Sequence, residues 1–292
     1  MEKGELIIEG KTKKIFSVPG KPDMAIVEYK NAITAFDDPS FTKEFATKAV
    51  HSNTITCRVF ELLKNAGLPV AYEKQISETE FLAPKCDMIP LEVVARRYAV
   101  GSYLKRHPEF EKPDGQETHR FDELKIEFFL KTSRGKLVKD GKTLVEGLDP
   151  KAGEEDPFIE NPREGTWHLK HPKKQSGEAG SDLEKEIVAR DVLPNPEHVP
   201  DIQATTKSVF EALENFWASH DFKLIDFKLE FGIAPDGVLM VADVIDNDSW
   251  RLRDKNWNDV SKQSFRDGEG LDVIEDKYAL VASVLEGTIR AC

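Results

Sequence analysis

The densest chemistry in the chain lies in Leu224-Ile225-Asp226-Phe227-Lys228-Leu229-Glu230-Phe231, where apolar and polar residues alternate strictly. A period of two belongs to a strand, so Ile225, Phe227, Leu229 and Phe231 share one face and Asp226, Lys228 and Glu230 the other. Ala234-Pro235-Asp236-Gly237 is a turn sequence and Val238 to Ala242 reads as a second strand, which predicts a hairpin ending at Asp243. With Ala234 to Gly237 as the loop, Lys228 stands opposite Asp243 and Glu230 opposite Val241. Carboxylates and a lysine converging on one face can hold Mg2+ and a polyphosphate, because hard cations take oxygen ligands and bridge to phosphate oxygens. A solvent-facing strand with cross-strand ion pairs would show the same pattern, and alternation alone does not separate the two.

The continuation, Asp243-Val244-Ile245-Asp246-Asn247-Asp248-Ser249-Trp250-Arg251-Leu252-Arg253, interleaves acids and arginines. Such a loop can cradle a metal-bound phosphate while an arginine pairs bidentately with a substrate carboxylate or phosphate; it can equally be a surface loop with local salt bridges. Glu9-Gly10-Lys11-Thr12-Lys13-Lys14 sits between two predicted strands, where a glycine turn can lay lysines and backbone N–H groups across a triphosphate, or simply solubilise a hairpin tip. Arg96-Arg97 with Gly101-Ser102-Tyr103-Leu104-Lys105-Arg106 forms a second basic cluster, chemically suited to a nucleotide monophosphate; a helix end neutralised by arginines is the alternative. Lys131 follows Phe128-Phe129-Leu130 as a strand-terminal lysine. The histidines of Trp167-His168-Leu169-Lys170-His171 have no cysteine or acidic partner at ligand spacing, which excludes a zinc site.

These groups need a scaffold. Leu6 to Ile8, Lys14 to Val18 and Met24 to Tyr29 read as strands of an antiparallel sheet, and Ile55, Val59, Leu62, Leu63 and Ala66 as a helix packed on it, stopped by Gly67 and Pro69. Further strands are expected near Val70 to Lys74 and at Phe81-Leu82, with a hinge in Asp87-Met88-Ile89-Pro90-Leu91-Glu92. From Thr132 to Pro200 the composition turns to Lys, Glu, Asp, Gly and Pro without periodicity, the pattern of a solvated excursion. Packing helices return at Val209, Leu213, Phe216 and Trp217, and at Leu271, Ile274, Tyr278, Val281, Leu285 and Ile289. Separate strand and helix blocks give an α+β architecture in two lobes.

Composition narrows the function. The 292 residues, 39% hydrophobic and 32% charged, suffice for a real core, and no apolar run approaches a membrane span or a signal segment, so a cytoplasmic location is expected. A net charge of −12 argues against nucleic-acid binding, and Cys57, Cys86 and Cys292 are expected as free thiols.

Taken together the segments resemble the phosphoribosylaminoimidazole-succinocarboxamide synthase (SAICAR synthetase) family, in order from near the N-terminus to Arg253. The words that carry it are Glu9-Gly10-Lys11-Thr12-Lys13, Asp87-Met88-Ile89-Pro90-Leu91-Glu92, Gly101-Ser102-Tyr103-Leu104-Lys105-Arg106, Asp226-Phe227-Lys228-Leu229-Glu230-Phe231-Gly232 and Asp243 to Leu252. The resemblance implies a two-lobed fold related to ATP-grasp enzymes, with antiparallel sheets, packed helices and ATP in an interlobe cleft. On that basis residues 1–88 form an N-terminal lobe over the ATP phosphates, and residues 89–292 a larger α+β lobe with the metal, nucleotide and ribonucleotide sites.

By the same carry-over, Lys11 and Lys13 approach the phosphates, the adenine lies near Met88, Lys131 and Lys228 contact the nucleotide, and Glu230 with Asp243 holds Mg2+. Lys13, Lys131 and Lys228 are the expected catalytic lysines. Arg96, Ser102 and Arg251 bind the ribonucleotide, Asp248 lies beside it, and Asp37, in Ile33-Thr34-Ala35-Phe36-Asp37, belongs to a loop near it. In many relatives the lysine matching Lys131 is followed by Asn-Asp and, shortly after, Asp-Pro; here Thr132-Ser133 follow, and the matching pair is Asp156-Pro157. The implied reaction joins L-aspartate to the carboxylate of carboxyaminoimidazole ribonucleotide with ATP and Mg2+. A kinase, or a nucleotide-binding module without turnover, are the rival readings; no His-Arg-Asp or Asp-Phe-Gly motif supports the kinase. The sequence leaves room for a homo-oligomer.

Overall fold

The computed structural model describes residues 1–34, 42–113, 116–152, 154–193 and 195–289. The chain forms two compact units. The first comprises Met1–Met88, Ala212–Lys223 and Phe231–Cys292, the second Ile89–Glu211 and Leu224–Glu230. The chain leaves the first unit after Met88, where the sequence places a lobe boundary, and its C-terminal part groups with the N-terminal sheet instead of with residues 89–211.

In the first unit, strands β1 (Leu6–Glu9), β2 (Lys13–Ser17) and β3 (Met24–Tyr29) are followed by the short pair β4 (Ala32–Thr34) and β5 (Thr42–Glu44). Helix α1 (Lys48–Asn65) then leads to β6 (Lys74–Gln75) and β7 (Glu80–Pro84), and the sheet order is β1-β2-β3-β7-β6. The central strand β3 is covered on both faces, with Ala25, Ile26 and Val27 all buried; Ile26 packs with Val18 and Leu82, each such large apolar side chain contributing about 1.5–3 kcal/mol of burial. Helix α1 begins well before the apolar stripe that announces it and buries Ile55, Val59, Phe60 and Leu63. It stops in a Schellman arrangement, Gly67 N donating to Lys64 O and Leu68 N to Leu63 O, which Gly67 permits at φ 77°. The strand expected from Val70 reduces to a parallel bridge between Val70 and Val241, with β6 following.

Strand β8 (Asp87–Tyr98) enters the second unit. There it is joined by α2 (Ser102–Arg106), β9 (Arg120–Leu130), β10 (Leu137–Lys139), β11 (Lys142–Val145), β12 (Phe158–Ile159), β13 (Thr166–Lys170), β14 (Asp182–Val188) and α3 (Ala189–Val192). The expected hinge at Asp87 to Glu92 is therefore the first half of a strand. Helix α4 (His198–Ala218) precedes β15 (Phe222–Ile233), and the second unit's strands run in the order β14-β13-β12-β9-β8-β15. The register sets Glu92 against Phe129, Val94 against Glu127 and Arg96 against Lys125.

The solvated excursion expected over 132–200 is corrected here. Strands β12, β13 and β14 extend the sheet outward from β9 while β10 and β11 pair with each other, and Ile159, Trp167, Leu169 and Ile187 are buried. Strands this short offer no sustained period, so only pairing with β9 reveals them as core. Back in the first unit, a turn with Gly237 N donating to Ala234 O leads to β16 (Leu239–Ala242), β17 (Trp250–Asp254), α5 (Gln263–Arg266) and α6 (Leu271–Ile289). Helix α6 places Tyr278 and Ile274 against Ile33, Phe45 and Phe265. Cys57 and Cys86 are free, and burial pushes their thiols up to about 12 and about 11. Among the described residues no helix is long and apolar enough to cross a membrane.

Candidate functional site

In the second unit the alternation of β15 meets the polar face of β8 in ion pairs. Lys228 Nζ lies 2.9 Å from Glu92 Oε2, and Arg96 NH1 lies 2.5 Å from Asp226 Oδ2. Beyond the end of β9, Lys131 Nζ reaches Glu230 Oε1 at 2.5 Å. The cross-strand ion pairs that sequence offered as the plain alternative are thus present, and they gather the residues that the ligand-binding reading also requires. Lys228 stays exposed and Lys131 half-exposed, so both ammonium groups can turn to an anion; Asp226 and Arg96 are buried.

Arg96 is neither at a helix end nor on the surface. It is a strand residue whose Nε donates to Glu127 Oε2 at 2.6 Å and whose NH2 donates to Ser102 Oγ at 3.1 Å. Glu127 also takes a hydrogen bond from Arg106, whose guanidinium lies over the rings of Phe129 and Phe158. Glu127 and Arg106 neutralise this interior, and neither stands in a periodic pattern that singles it out; their pairing depends on β9 lying beside β8. Gly101, at φ 59°, adopts the left-handed turn that opens α2 and presents Ser102 to Arg96.

Asp156 is brought to the same end of the sheet. Thr132 N donates to its Oδ1 at 2.6 Å, so the residues between them fold out and return, setting Asp156 beside Lys131 as a short connection would.

In the first unit, Gly10 N donates to Lys13 O at 2.8 Å, closing a turn with Lys11 exposed on it and Lys13 at the start of β2. Lys13 is ion-paired with Asp243. Asp243 follows β16 and sits at φ 65°, a conformation uncommon for residues with a side chain but more readily adopted by Asp and Asn. Met88 is exposed at the start of β8, and Gly232 lies against it: a Cβ on Gly232 would stand 3.3 Å from Met88 Sδ and 2.7 Å from Cys86 Cβ.

The loop after Asp243 is anchored from below. Asp248 Oδ2 lies 3.2 Å from Lys262 Nζ and 3.4 Å from Lys48 Nζ, and Tyr278 donates its hydroxyl to Asp248 Oδ1. Burial alone would raise the Asp248 carboxyl, but Lys262, Lys48 and Tyr278 outweigh it and hold the group well below the usual carboxylate range. Burial and the neighbouring charge of Asp248 push Asp246 up. Trp250 Nε1 donates to Asn247 Oδ1 at 2.8 Å, and Arg251 Nε donates to Gln263 Oε1 at 3.3 Å, fixing the guanidinium at the edge of the loop. Lys48 and Lys262 carry no sequence signal, and Tyr278 reads only as part of the C-terminal packing stripe, because their pairing with Asp248 joins separate segments of the chain. Asp37 lies outside the described residues.

The family model of SAICAR synthetase matches residues 6–144 and 171–281. This chain belongs to the SAICAR synthetase family. It is 36% identical over 295 residues to the phosphoribosylaminoimidazole-succinocarboxamide synthase of Chloroflexus aggregans, covering 99% of this chain and 98% of that protein. It is also 36% identical over 290 residues to a bifunctional phosphoribosylaminoimidazole carboxylase/succinocarboxamide synthetase of Drosophila melanogaster, covering 97% of this chain but only 57% of the fly protein. The solved phosphoribosylaminoimidazole-succinocarboxamide synthase of Ehrlichia chaffeensis shares the fold with a TM-score of 0.72 at 24% identity, covering 97% of this chain and 98% of that one. A solved SAICAR synthetase in complex with ADP matches with the same TM-score of 0.72, identity of 24% and coverage of 97% and 98%. The mixed α/β architecture with antiparallel sheets is thus the SAICAR synthetase fold.

Proposed function

We propose that this protein is an ATP-dependent, amide-forming ligase that condenses carboxyaminoimidazole ribonucleotide with L-aspartate to give SAICAR, ADP and phosphate in purine biosynthesis. The observation that carries the reading is the near full-length match to a synthase of that name, joined to a sheet face that holds Lys131, Lys228, Glu230 and Arg96 in one constellation.

A carboxylate resists amine attack because its leaving group would be an oxide, so ATP first phosphorylates it and the amine then displaces phosphate. Lys13, Lys131 and Lys228 neutralise charge on the transferring phosphoryl group, and Lys11 extends the same field from its turn. Arg96 and Ser102 bind the ribonucleotide in the second unit. Arg251, on the loop that Asp248 anchors, offers a planar fork suited to a phosphate or carboxylate. Met88 offers an apolar surface to the adenine.

Glu230 and Asp243 are each suited to Mg2+: each offers hard oxygen donors and already has a lysine ammonium against it, and Mg2+ with a nucleotide takes one or two carboxylates plus phosphate oxygens. Bound there, the ion would offset phosphate charge during transfer.

Oxygen-18 in the substrate carboxylate tests the reaction. One labelled oxygen should appear in inorganic phosphate per amide formed, because a carboxylate oxygen attacks the γ-phosphorus and departs with it. A kinase would keep the phosphoryl group on its product, and unlabelled phosphate accompanying full amide formation would remove the acyl-phosphate route.

A further inference from the structure

The segment Glu155 to Pro157 is laid against the end of β9 by three hydrogen bonds. Leu130 N donates to Pro157 O at 2.9 Å, Thr132 Oγ1 to Glu155 O at 2.7 Å and Thr132 N to Asp156 Oδ1 at 2.6 Å. The Asp156 carboxylate is therefore fixed in position on the stretch of chain that carries Lys131. Among the described residues its second oxygen, Oδ2, accepts no hydrogen bond, and the side chain is only partly buried, so a ligand can reach it. Lys131 from the end of β9, Glu92 from β8 and the adjacent Glu155 are the charged groups that face it. Lys131 is paired with Glu230 and Glu92 with Lys228, so this carboxylate borders the constellation without being neutralised by a partner of its own.

We propose that Asp156 is the base that takes a proton from the ammonium group of L-aspartate in the amide-forming step. The inference rests on the ligase reading above and names a role that reading leaves unfilled. L-Aspartate arrives with a protonated amine, which has no lone pair to attack with. Asp156 Oδ2 accepts one ammonium proton; the freed amine forms the C–N bond at the acyl carbon, and the C–O bond to the phosphoryl group breaks. The departing phosphate takes the second proton lost from nitrogen, and Asp156 later returns its own to water, so charge and protons balance. The local environment suits the task. Burial raises the carboxyl to about 7, Glu92 and Glu155 adding to the rise while Thr132 N–H and Lys131 oppose it. A base poised there is a stronger proton acceptor than an ordinary carboxylate, and about half of it is in the basic form at neutral pH.

The test compares full-length wild type with Asp156→Asn, using L-aspartate and then hydroxylamine, whose nitrogen is uncharged at neutral pH and needs no base. With L-aspartate the variant should lose about 10²–10⁴ in kcat, the range typical of a removed general base, with the KM for ATP and ribonucleotide little changed. With hydroxylamine it should turn over at the wild-type rate, which also shows that it folds and activates the carboxylate. The acidic limb of kcat/KM for L-aspartate, centred near pH 7 in the wild type, should vanish in the variant. An equal loss with both amines, or an unchanged acidic limb, overturns the assignment. A wild type that forms no amide from L-aspartate would instead remove the ligase reading itself.

Discussion

The Lys48 ammonium lies 3.4 Å from the Asp248 carboxylate with none of its own side chain exposed. A lysine so buried is tolerated only because it is paired, and here the pair is one edge of a larger set with Lys262, Tyr278 and Asp246. The loop that carries Arg251 rests on this set, so its charges should govern both stability and the shape of the site.

Lys48→Met should therefore destabilise the protein by about 3–5 kcal/mol, the usual loss when one partner of a buried pair is removed. Urea unfolding followed by circular dichroism would show it as a lower midpoint with unchanged slope. A change within about 0.5 kcal/mol, as for an ordinary surface substitution, would mean that Lys262 and Tyr278 suffice to hold Asp248.

The same set fixes a pH dependence. Asp248 titrates below its unfolded value of about 3.9, so its stabilisation is complete above that pH and is lost as the pH falls toward the folded value. Asp246 is raised and acts in the opposite sense, its contribution declining as the pH rises above about 3.9. Asp248→Asn should flatten the acid side of the stability curve, measured as the urea midpoint from about pH 4 downward. An acid limb as steep as the wild type's would place the linkage in other carboxylates.

Glu230→Gln and Asp243→Asn should each sharply reduce turnover at limiting Mg2+ and be partly restored by excess Mg2+, because a neutral amide is a poor substitute for a carboxylate opposite a divalent ion. Asparagine tolerates the left-handed backbone that Asp243 adopts at φ 65°, so the second substitution tests charge and not conformation. Titration of activity against Mg2+ decides each residue separately; near-normal turnover at limiting Mg2+ would take that residue out of the metal site.

Arg251→Lys should raise the KM for the ribonucleotide far more than that for ATP, since lysine keeps the charge but lacks the fork and cannot reproduce the Nε contact to Gln263. Steady-state kinetics with each substrate varied would resolve this, and equal losses for both would point to a disrupted loop.

Gly232→Ala tests the proposed placement of the adenine at Met88. Its Cβ would stand 2.7 Å from Cys86 Cβ and 3.2 Å from Asp87 O, so the strand carrying Met88 must shift, at a cost of about 1–3 kcal/mol. The KM for ATP should rise while that for the ribonucleotide holds. An unaltered ATP KM in a destabilised variant would separate Gly232 packing from nucleotide binding.

Much of this was legible in the sequence. Strict alternation fixed β15, glycine and apolar spacing fixed the end of α1, and the ordered motifs identified the family, because each depends only on residues near one another in the chain. Lys11, Lys13, Lys228, Glu230, Asp243 and Arg251 lie in those motifs, Lys131 reads only as a strand-terminal lysine, and the site roles of all seven come from the family resemblance. Tertiary structure decided the rest. It turned the Lys/Glu/Gly/Pro-rich residues 132–200 into strands with buried Trp167 and Ile187, since short strands gain stability from their neighbours and carry no period of their own. It buried Arg96 between Glu127 and Asp226, set Asp156 against Thr132 across a long insertion, and closed Lys48, Lys262 and Tyr278 around Asp248. Ion pairs and hydrogen bonds between distant segments depend on which strands and helices become neighbours, and no local pattern of residue types encodes that choice.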